Sequence, residues 1–242
     1  MHNQMHENHP DQSRLERHSD CLSCGIRQSA LFSDIPEDQF ADFHRQVDDL
    51  EFPKDAAIFH QGDSAEYVFT LRTGLIKIVL LAPNGEERIL RVIQPGALAG
   101  LDAITTGRYG HTAVALGPSR SADCHLAGQG PRCQAAALHK RLMEKWTEAL
   151  HESESWFAEL NTGNAEQRLA RFLIKLSQQD NGVTTAHLFR RDEMGSMLGV
   201  TLETISRRLS ALKKDGIIQM ATSQSPTVTI TNMAALKKMA GD

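Results

Sequence analysis

The spacing of apolar residues changes along the chain. Between about residues 31 and 126, β-branched and aromatic runs such as 67–71 and 75–81 alternate with turn signals, which is typical of short strands. Glycines recur there every 11 or 12 residues: Gly62, Gly74, Gly85 and Gly96. Pro83-Asn84-Gly85 predicts a tight hairpin turn because Asn and Gly tolerate positive φ angles. The pattern predicts a β-sandwich or a double-stranded β-helix (jelly-roll) barrel.

From residue 139 the apolar period becomes helical. Seven positions are spaced alternately by four and three residues: His139, Met143, Trp146, Leu150, Ser153, Phe157 and Leu160. This is a heptad seam on one long helix, and such a seam must be buried. It could pack on the barrel of its own chain, but three heptads with a charged outer face favour a homodimer. Residues 161–164 then predict the end of the helix.

The most specific motif lies at residues 191–215. Gly195 precedes Gly199 by four positions, and Ile205 follows Gly199 by six. In a helix-turn-helix, the first of these residues lets two helices approach, the second forms the turn, and the third anchors the second helix. Thr201 suits the N-cap of that second helix. Residues 164–176 predict a supporting helix, and residues 217–219 and 227–231 predict a hairpin wing.

These patterns predict an α+β chain with four parts. They are a flexible segment with Cys-x-x-Cys (1–30), a β-barrel sensor domain (31–132), a dimerisation helix (133–162) and a winged helix-turn-helix domain (163–242).

The second helix of the motif carries side chains suited to DNA. We expect Glu203, Ser206 and Arg207 to read base edges, since Arg can bind guanine with two hydrogen bonds and Glu can accept from cytosine. Arg208 and the Lys213-Lys214 pair suit phosphate contacts, which position a helix without reading sequence. A plain surface ion pair between Glu203 and Arg207, four residues apart, is the alternative.

The charge is distributed unevenly. The whole chain has a formal net charge of −4, but residues 164–242 hold 11 Lys+Arg against 7 Asp+Glu, and the remainder holds 15 against 23. A basic third on an acidic body indicates a nucleic-acid-binding module joined to a part with another task. No apolar run is long enough for a membrane helix and no secretory signal is present, so we expect a cytoplasmic protein.

The order of barrel, long helix and winged helix-turn-helix resembles the CRP/FNR superfamily of bacterial transcription regulators. Residues 198–207 look like the recognition helix of the oxygen-responsive FNR branch, and residues 164–169 and 100–104 are also FNR-like. The resemblance implies that Glu203, Ser206 and Arg207 read a TTGAT…ATCAA palindrome. It also implies recruitment of RNA polymerase through exposed barrel loops, with the turn at residues 84–87 as a candidate.

The cyclic-nucleotide branch of the family fits poorly. Its Gly-Glu-Leu and Arg-Ser-Ala or Arg-Thr-Ala segments correspond here to Gly96-Ala97-Leu98 and His111-Thr112-Ala113. The ribose-binding carboxylate and the phosphate-binding guanidinium are missing, so a buried phosphate would lack its bidentate partner. We therefore expect no cAMP binding.

The four cysteines suggest what the protein senses. Cys21-x-x-Cys24 can chelate a metal or close a disulfide, and Cys124 follows near the end of the barrel. By resemblance, these three match three of the four cluster ligands of the FNR pattern, while Ala30 replaces the remaining cysteine. The interpretations are a 4Fe–4S cluster with an atypical fourth ligand (Cys133, His18, an Asp, or an outside thiol or water), a thiol–disulfide switch, a haem or nitric-oxide sensor, and no cofactor.

Other function classes are weaker. The histidines near the N-terminus could bind metal, but a solvated lead-in explains them as well. A cupin-type metalloenzyme would need a strand-borne cluster, yet His44, His60, His111 and His125 are widely spaced without H-x-H spacing. A cyclic-nucleotide-binding module without DNA binding conflicts with the helix-turn-helix. We expect a non-catalytic regulator.

Overall fold

The computed structural model describes residues 17–18, 48–85, 87–125, 136–222 and 225–241. The chain forms two compact units, which are described separately. The first contains the residues up to Glu87 together with Arg91–Leu150, and the second contains Arg88–Leu90 and the chain from His151 onward. Cys21, Cys24, Ala30, His44 and Cys133 lie outside the described residues.

The first unit is built from two antiparallel sheets. Its strands are β1 (Arg17–His18), β2 (Asp48–Phe52), β3 (Ala57–Phe59), β4 (Tyr67–Thr73), β5 (Ile76–Leu81), β6 (Glu87–Ile93), β7 (Leu98–Ala99), β8 (Thr112–Ala115) and β9 (Ser119–His125). One sheet has the order β1-β2-β9-β4-β7 and the other β3-β8-β5-β6. The predicted β-barrel class is confirmed, together with the strands expected at residues 67–71 and 75–81.

The core of this unit follows from the alternation of its strands. Inward side chains such as Leu71, Ile76 and Ile93 are fully buried, and an aromatic cluster adds to them. The rings of Phe59 and Tyr109 stack with centroids 3.9 Å apart, and the Tyr109 hydroxyl donates to the carbonyl oxygen of Tyr67 at 2.7 Å. Because burial outweighs that hydrogen bond, the pKa of Tyr109 is raised to about 12 and the phenol stays a donor.

The predicted hairpin turn is confirmed. It joins β5 to β6, Gly85 has a φ of 84°, and its N–H donates to the carbonyl oxygen of Ala82 at 2.9 Å. Helix α1 (Ala103–Thr106) is a single turn between β7 and β8.

The seam lies on one long helix, α2 (Ala136–Asn161). Within the first unit, Leu142 and Ala149 of this helix pack on the buried Val68, Leu98 and Leu101 of the barrel. The three seam residues spaced by seven are instead among the exposed large hydrophobics: Met143 at 45%, Leu150 at 53% and Phe157 at 73%. Met143 and Leu150, which belong to the first unit, are therefore not covered by the barrel of their own chain, whereas the seam residue Leu160 in the second unit is buried. No helix in the described ranges has the length and apolar character needed to cross a membrane.

The second unit begins with the end of α2 and adds a small α+β domain. Its elements are α3 (Ala165–Lys175), β10 (Ser177–Asp180), β11 (Val183–His187), α4 (Arg191–Leu198), α5 (Leu202–Lys214), β12 (Ile218–Gln219), β13 (Thr227–Ile230) and α6 (Met233–Ala240). The strands form one sheet in the order β10-β11-β13-β12. The predicted supporting helix and wing are both present, whereas β10, β11 and α6 had no counterpart in the sequence analysis.

Candidate nucleic-acid interface

Two glycines shape the junction between α4 and α5. A Cβ on Gly195 would lie 2.7 Å from the carbonyl oxygen of Val200, so no side chain fits there. Gly199 ends α4 with a φ of 60° and a ψ of 40°, the left-handed conformation that glycine adopts without steric cost. The Val200 N–H donates back to the Gly195 carbonyl oxygen at 2.9 Å. The junction therefore has the geometry of a helix-turn-helix.

Helix α5 is capped at its start and anchored along one face. Thr201 is the N-cap, and its hydroxyl accepts from the Thr204 N–H at 3.3 Å. Ile205, Leu209 and Leu212 are buried at the spacing of a helical face. This apolar stripe fixes the rotation of α5, so the opposite face is presented to solvent.

The three predicted base-reading residues lie on the N-terminal half of α5. Glu203 and Arg207 are exposed and Ser206 is half-buried. The Arg207 Nε donates to the backbone carbonyl of Glu203 at 3.4 Å, and no salt bridge joins the two side chains in the described part of the chain. The surface ion pair considered as the alternative is therefore absent.

The ionisation of Glu203 suits a hydrogen-bond acceptor. Its pKa is lowered first by its own backbone N–H, then by the Thr201 hydroxyl, and least by the charge of Arg207. A carboxylate that stays ionised presents only acceptor oxygens, which match the amino group of cytosine.

Leu202 was missed by the sequence analysis. It is the first residue of α5 and is 46% exposed, although a leucine would ordinarily be assigned to the core. An exposed apolar side chain beside Glu203 has the chemistry to contact the methyl group of thymine. Its spacing could not have revealed this, because Leu202 lies three residues before Ile205 and is therefore in register with the buried stripe.

The predicted phosphate contacts differ from one another. Lys213 and Lys214 are exposed in the last turn of α5, and Thr201, predicted as the N-cap, is also exposed. The Arg208 Nη1 instead lies 3.0 Å from the Glu166 carboxylate of α3. Both partners are substantially exposed, so the pair contributes little to stability and holds the guanidinium beside α3.

Helix α3 is a fixed support for this surface. Its N-cap Asn164 accepts from the N–H groups of Glu166 and Gln167, and the Gln167 side chain accepts from the Asn164 N–H, which forms a capping box. Leu169, Phe172 and Leu173 of α3 are buried. The helix is therefore fixed both at its start and along its apolar face.

The predicted cluster ligands are only partly placed. Cys124 lies in β9, where its backbone pairs with Val68 of β4, and its side chain is not described. Among the described residues, no group of three His, Cys, Asp or Glu side chains could hold a metal ion.

The two barrel segments that differ from the cyclic-nucleotide cassette are described. Ala97 is half-buried just before β7. The His111 Nδ1 lies 3.2 Å from the Asp102 carboxylate, which also accepts from the Gly110 N–H at 2.9 Å. Burial alone would raise the pKa of Asp102, but the hydrogen bonds from His111 and Gly110 lower it overall. The position expected to hold a phosphate-binding arginine is thus next to a carboxylate.

Two domain families match the chain in the order found in the structure. Residues 49–122 match the cyclic nucleotide-binding domain, and residues 167–239 match the Crp-like helix-turn-helix domain. The first match covers most of the barrel, and the second covers the surface described above.

Relatives with the same organisation are transcription regulators. The chain is 30% identical to the regulatory protein HlyX of Actinobacillus pleuropneumoniae over 94% of this chain and 96% of HlyX. It is 27% identical to the fumarate and nitrate reduction regulatory protein of Escherichia coli K12, over 91% and 90%. A CRP-family transcriptional regulator from Thermus thermophilus has a similar fold, with a TM-score of 0.67 and 25% identity over 80% of this chain and 97% of that one.

Together, the fold and the helix-turn-helix define a DNA-binding transcription regulator. The chain belongs to the CRP/FNR family, and its curated relatives include anaerobic regulatory proteins such as that of Pasteurella multocida, at 29% identity over 91% of this chain and 82% of that protein. The family consists of regulators, so the protein is not an enzyme and the cupin-type interpretation is set aside.

Proposed function

We propose that this protein is a homodimeric regulator that binds a TTGAT…ATCAA palindrome and responds to oxygen or redox state through an iron–sulfur cluster. The observation that carries the DNA-binding part is the solvent-facing surface of α5. Glu203 and Arg207 are exposed there on a capped helix, and no salt bridge between them occupies either group. Both side chains remain available for base edges.

The division of labour on α5 follows from side-chain chemistry. Arg207 can donate two hydrogen bonds to guanine, Glu203 can accept from cytosine, and Ser206 can do either. Thr201, Arg208 and Lys213 are proposed to contact phosphates, which gives orientation and salt dependence without base preference.

The experiment for base reading is to replace Arg207 by alanine. Binding is measured against the palindrome and against duplexes with single base-pair changes, at several salt concentrations. We expect a loss of about 1–3 kcal/mol at the palindrome and relaxed preference at one base pair per half-site. Lys213→Ala is the matched control, because removing a phosphate contact weakens all duplexes alike and reduces the salt dependence. If Arg207→Ala binds every duplex as the parent does, the assignment is wrong.

Dimer formation is supported by the exposed stripe on α2. Met143, Leu150 and Phe157 are spaced by seven residues and are all exposed in one chain. Apolar side chains at this spacing are buried when two helices of a coiled coil meet. A two-fold dimer would also present two copies of α5, as a palindromic site requires.

The topology of the first sheet supports a shared location for the cysteines. Strands β1 and β9 both pair antiparallel with β2, so they run parallel to each other, and Arg17 and Ala122 share the partner Asp49. Two inter-strand steps separate β1 from β9 by about 10 Å. Cys124 follows Ala122 by two residues and Cys21 follows Arg17 by four, and four residues can span up to about 14 Å. The chain length therefore allows Cys21 to approach Cys124.

The donor set fits a cluster only in part. Cys21, Cys24 and Cys124 offer three thiolates, the ligands that iron–sulfur clusters prefer, but Ala30 cannot ligate. A bound cluster would supply the oxygen-sensitive chemistry, and its fourth ligand would come from Cys133, His18, an Asp, or an outside thiol or water. The same Cys21-x-x-Cys24 pair would carry a thiol–disulfide switch in a protein without iron.

The test is anaerobic purification followed by a visible spectrum and iron and sulfide analysis, before and after exposure to air. A cluster gives broad absorbance near about 400 nm that bleaches in air, with iron and sulfide present. Cys24→Ser should abolish this signal, while Cys133→Ser separates the three-cysteine set from one that uses Cys133. A colourless, iron-free protein would overturn the cluster and leave the Cys21–Cys24 redox state to be measured by thiol titration.

We propose further that cAMP is not the effector. An anion beside His111 would also meet the Asp102 carboxylate, which stays ionised because its pKa is lowered. Titration calorimetry with cAMP should show no binding. The hairpin turn that contains Asn84 and Gly85 remains the proposed contact for RNA polymerase.

A further inference from the structure

Arg168 of α3 is bonded to the turn of the helix-turn-helix. Its Nη1 donates to the carbonyl oxygen of Leu198 at 2.5 Å. Leu198 is the last residue of α4, so its carbonyl is one of the groups that a helix leaves unsatisfied at its C-terminus. The guanidinium supplies both the missing donor and a positive charge at the negative end of the helix dipole.

The bonded carbonyl belongs to the peptide that joins Leu198 to Gly199. Fixing this peptide plane limits the φ of Gly199, the residue with the most conformational freedom in the turn. A Cβ on Gly199 would lie 3.3 Å from the Arg168 Nη1, so the guanidinium also borders the turn directly. The direction in which the chain enters α5 depends on this peptide.

Arg168 is held by a fixed platform. It directly follows the capping box of α3, and its neighbours Leu169 and Ala170 are fully buried. Among the described residues, its Nε is buried without a hydrogen-bond partner. Because a guanidinium loses hydration at such a position, the bond to the turn is the interaction that offsets this cost.

We infer that Arg168 is a positioning residue for base reading: it sets the orientation of α5 through the Leu198–Gly199 peptide and does not contact DNA itself. Rigid support of a reading element mainly affects contacts that need accurate placement. Bonds to base edges need such placement, whereas long lysine and arginine side chains can reach phosphates from several helix orientations. Loss of Arg168 therefore lowers specificity more than it lowers general DNA affinity.

The test compares the full-length parent with Arg168→Met, which keeps much of the side-chain length but cannot donate. The specific duplex is one that the parent itself selects from a random library, so the test does not depend on the proposed palindrome. We expect about tenfold weaker binding to this duplex, as for the loss of a charge-assisted hydrogen bond. Affinity for a random duplex should change less than twofold, and the salt dependence should stay the same.

Two variants and a second measurement make the result unambiguous. Arg168→Lys keeps a donor and should recover most of the discrimination, and Arg208→Met, at a proposed phosphate contact, should lower the salt slope by about 0.9. Hydrogen exchange of the intact protein should be faster at residues 196–202 in Arg168→Met and unchanged at residues 203–214. Equal losses for both duplexes with a lower salt slope would show a phosphate contact, and unchanged binding would show no role; either result overturns the inference.

Discussion

At the scale of single residues, Gly195 matters because it has no side chain. In Gly195→Ala the added Cβ would meet the Val200 carbonyl oxygen at 2.7 Å and the Leu202 nitrogen at 3.4 Å. Both are backbone atoms of the turn, so the helices must separate. We expect a loss of about 1–3 kcal/mol in the free energy of unfolding of the second unit, together with weaker DNA binding. Urea unfolding measures this, with the exposed Ser196→Ala as control; equal midpoints for parent and Gly195→Ala would contradict it.

Residues whose role is local could be predicted from the sequence. Gly195, Gly199 and Thr201 stand at fixed offsets because the backbone of a helix-turn-helix requires them there. Arg168 could not be predicted, because its partner Leu198 is 30 residues away and an arginine on an amphipathic helix has no local signature. The Glu166–Arg208 pair, 42 residues apart, was hidden for the same reason, and so Arg208 was interpreted only as a phosphate contact.

Asp102 in the barrel gives a prediction about pH. Its folded pKa is lowered, so its charged form contributes stability that is present above the unfolded pKa of about 3.9 and is lost as the pH falls through the folded value. In Asp102→Asn, the decrease in stability of the first unit between about pH 5 and pH 3 should be smaller. Thermal unfolding at both pH values measures this. Asp55→Asn, at an exposed turn, is the control, and an unchanged pH dependence in Asp102→Asn would argue against the Asp102–His111 bond.

At the scale of helices and strands, Arg171 ties three helices together. Its Nε donates to the carbonyl oxygen of Ala240 in α6 at 2.9 Å, and its Nη1 donates to those of Glu159 and Thr162, at 3.0 and 2.9 Å, at the end of α2. These carbonyls are the unsatisfied groups of two helix C-termini. The end of α2 is therefore fixed to the DNA-binding unit.

Replacing Arg171 by methionine should destabilise this unit. Three carbonyl groups lose a charged donor, and we expect a cost of about 2–3 kcal/mol, since bonds that share one guanidinium are not additive. Chemical denaturation followed by circular dichroism measures it. Lys237→Met, at an exposed position on α6, should be neutral. A variant as stable as the parent would mean that water replaces the guanidinium at these carbonyls without loss.

The elements that the sequence predicted have a regular spacing of apolar residues, and the elements that it missed do not. The long helix and the barrel strands have clear apolar periods, so α2, β4 and β5 followed from the sequence. Strand β10 reads Ser-Gln-Gln-Asp and has no apolar alternation, because its pairing with β11 rather than its side chains defines it. Helix α6 is short and was not recognised as a separate element, although Leu236 and Ala240 are buried.

At the scale of the whole molecule, α2 has two apolar faces, of which one is packed on the barrel and the other is exposed. Leu142 and Ala149 pack on the barrel of their own chain, whereas Met143, Leu150 and Phe157 remain exposed. The heptad seam in the sequence predicted the exposed face. It could not show that Leu142 and Ala149, each next to a seam residue, pack on the barrel. Since Met143, Leu150 and Phe157 are left uncovered in one chain, a second copy of α2 is the proposed cover, and this can be tested without knowing the effector.

Leu150→Glu tests the seam at its middle exposed position. In a two-fold dimer the two glutamates would face each other in an apolar seam, where like charges lose hydration and repel. We expect the dimer to dissociate at least tenfold more readily, as measured by sedimentation over a range of concentrations. Binding to a palindrome should weaken with it, and binding to an isolated half-site should stay the same. His151→Glu introduces the same charge one position away on an exposed site outside the seam, and it should leave the dimer intact. If Leu150→Glu sediments as the parent does, the face of α2 marked by Met143, Leu150 and Phe157 is not where two copies meet.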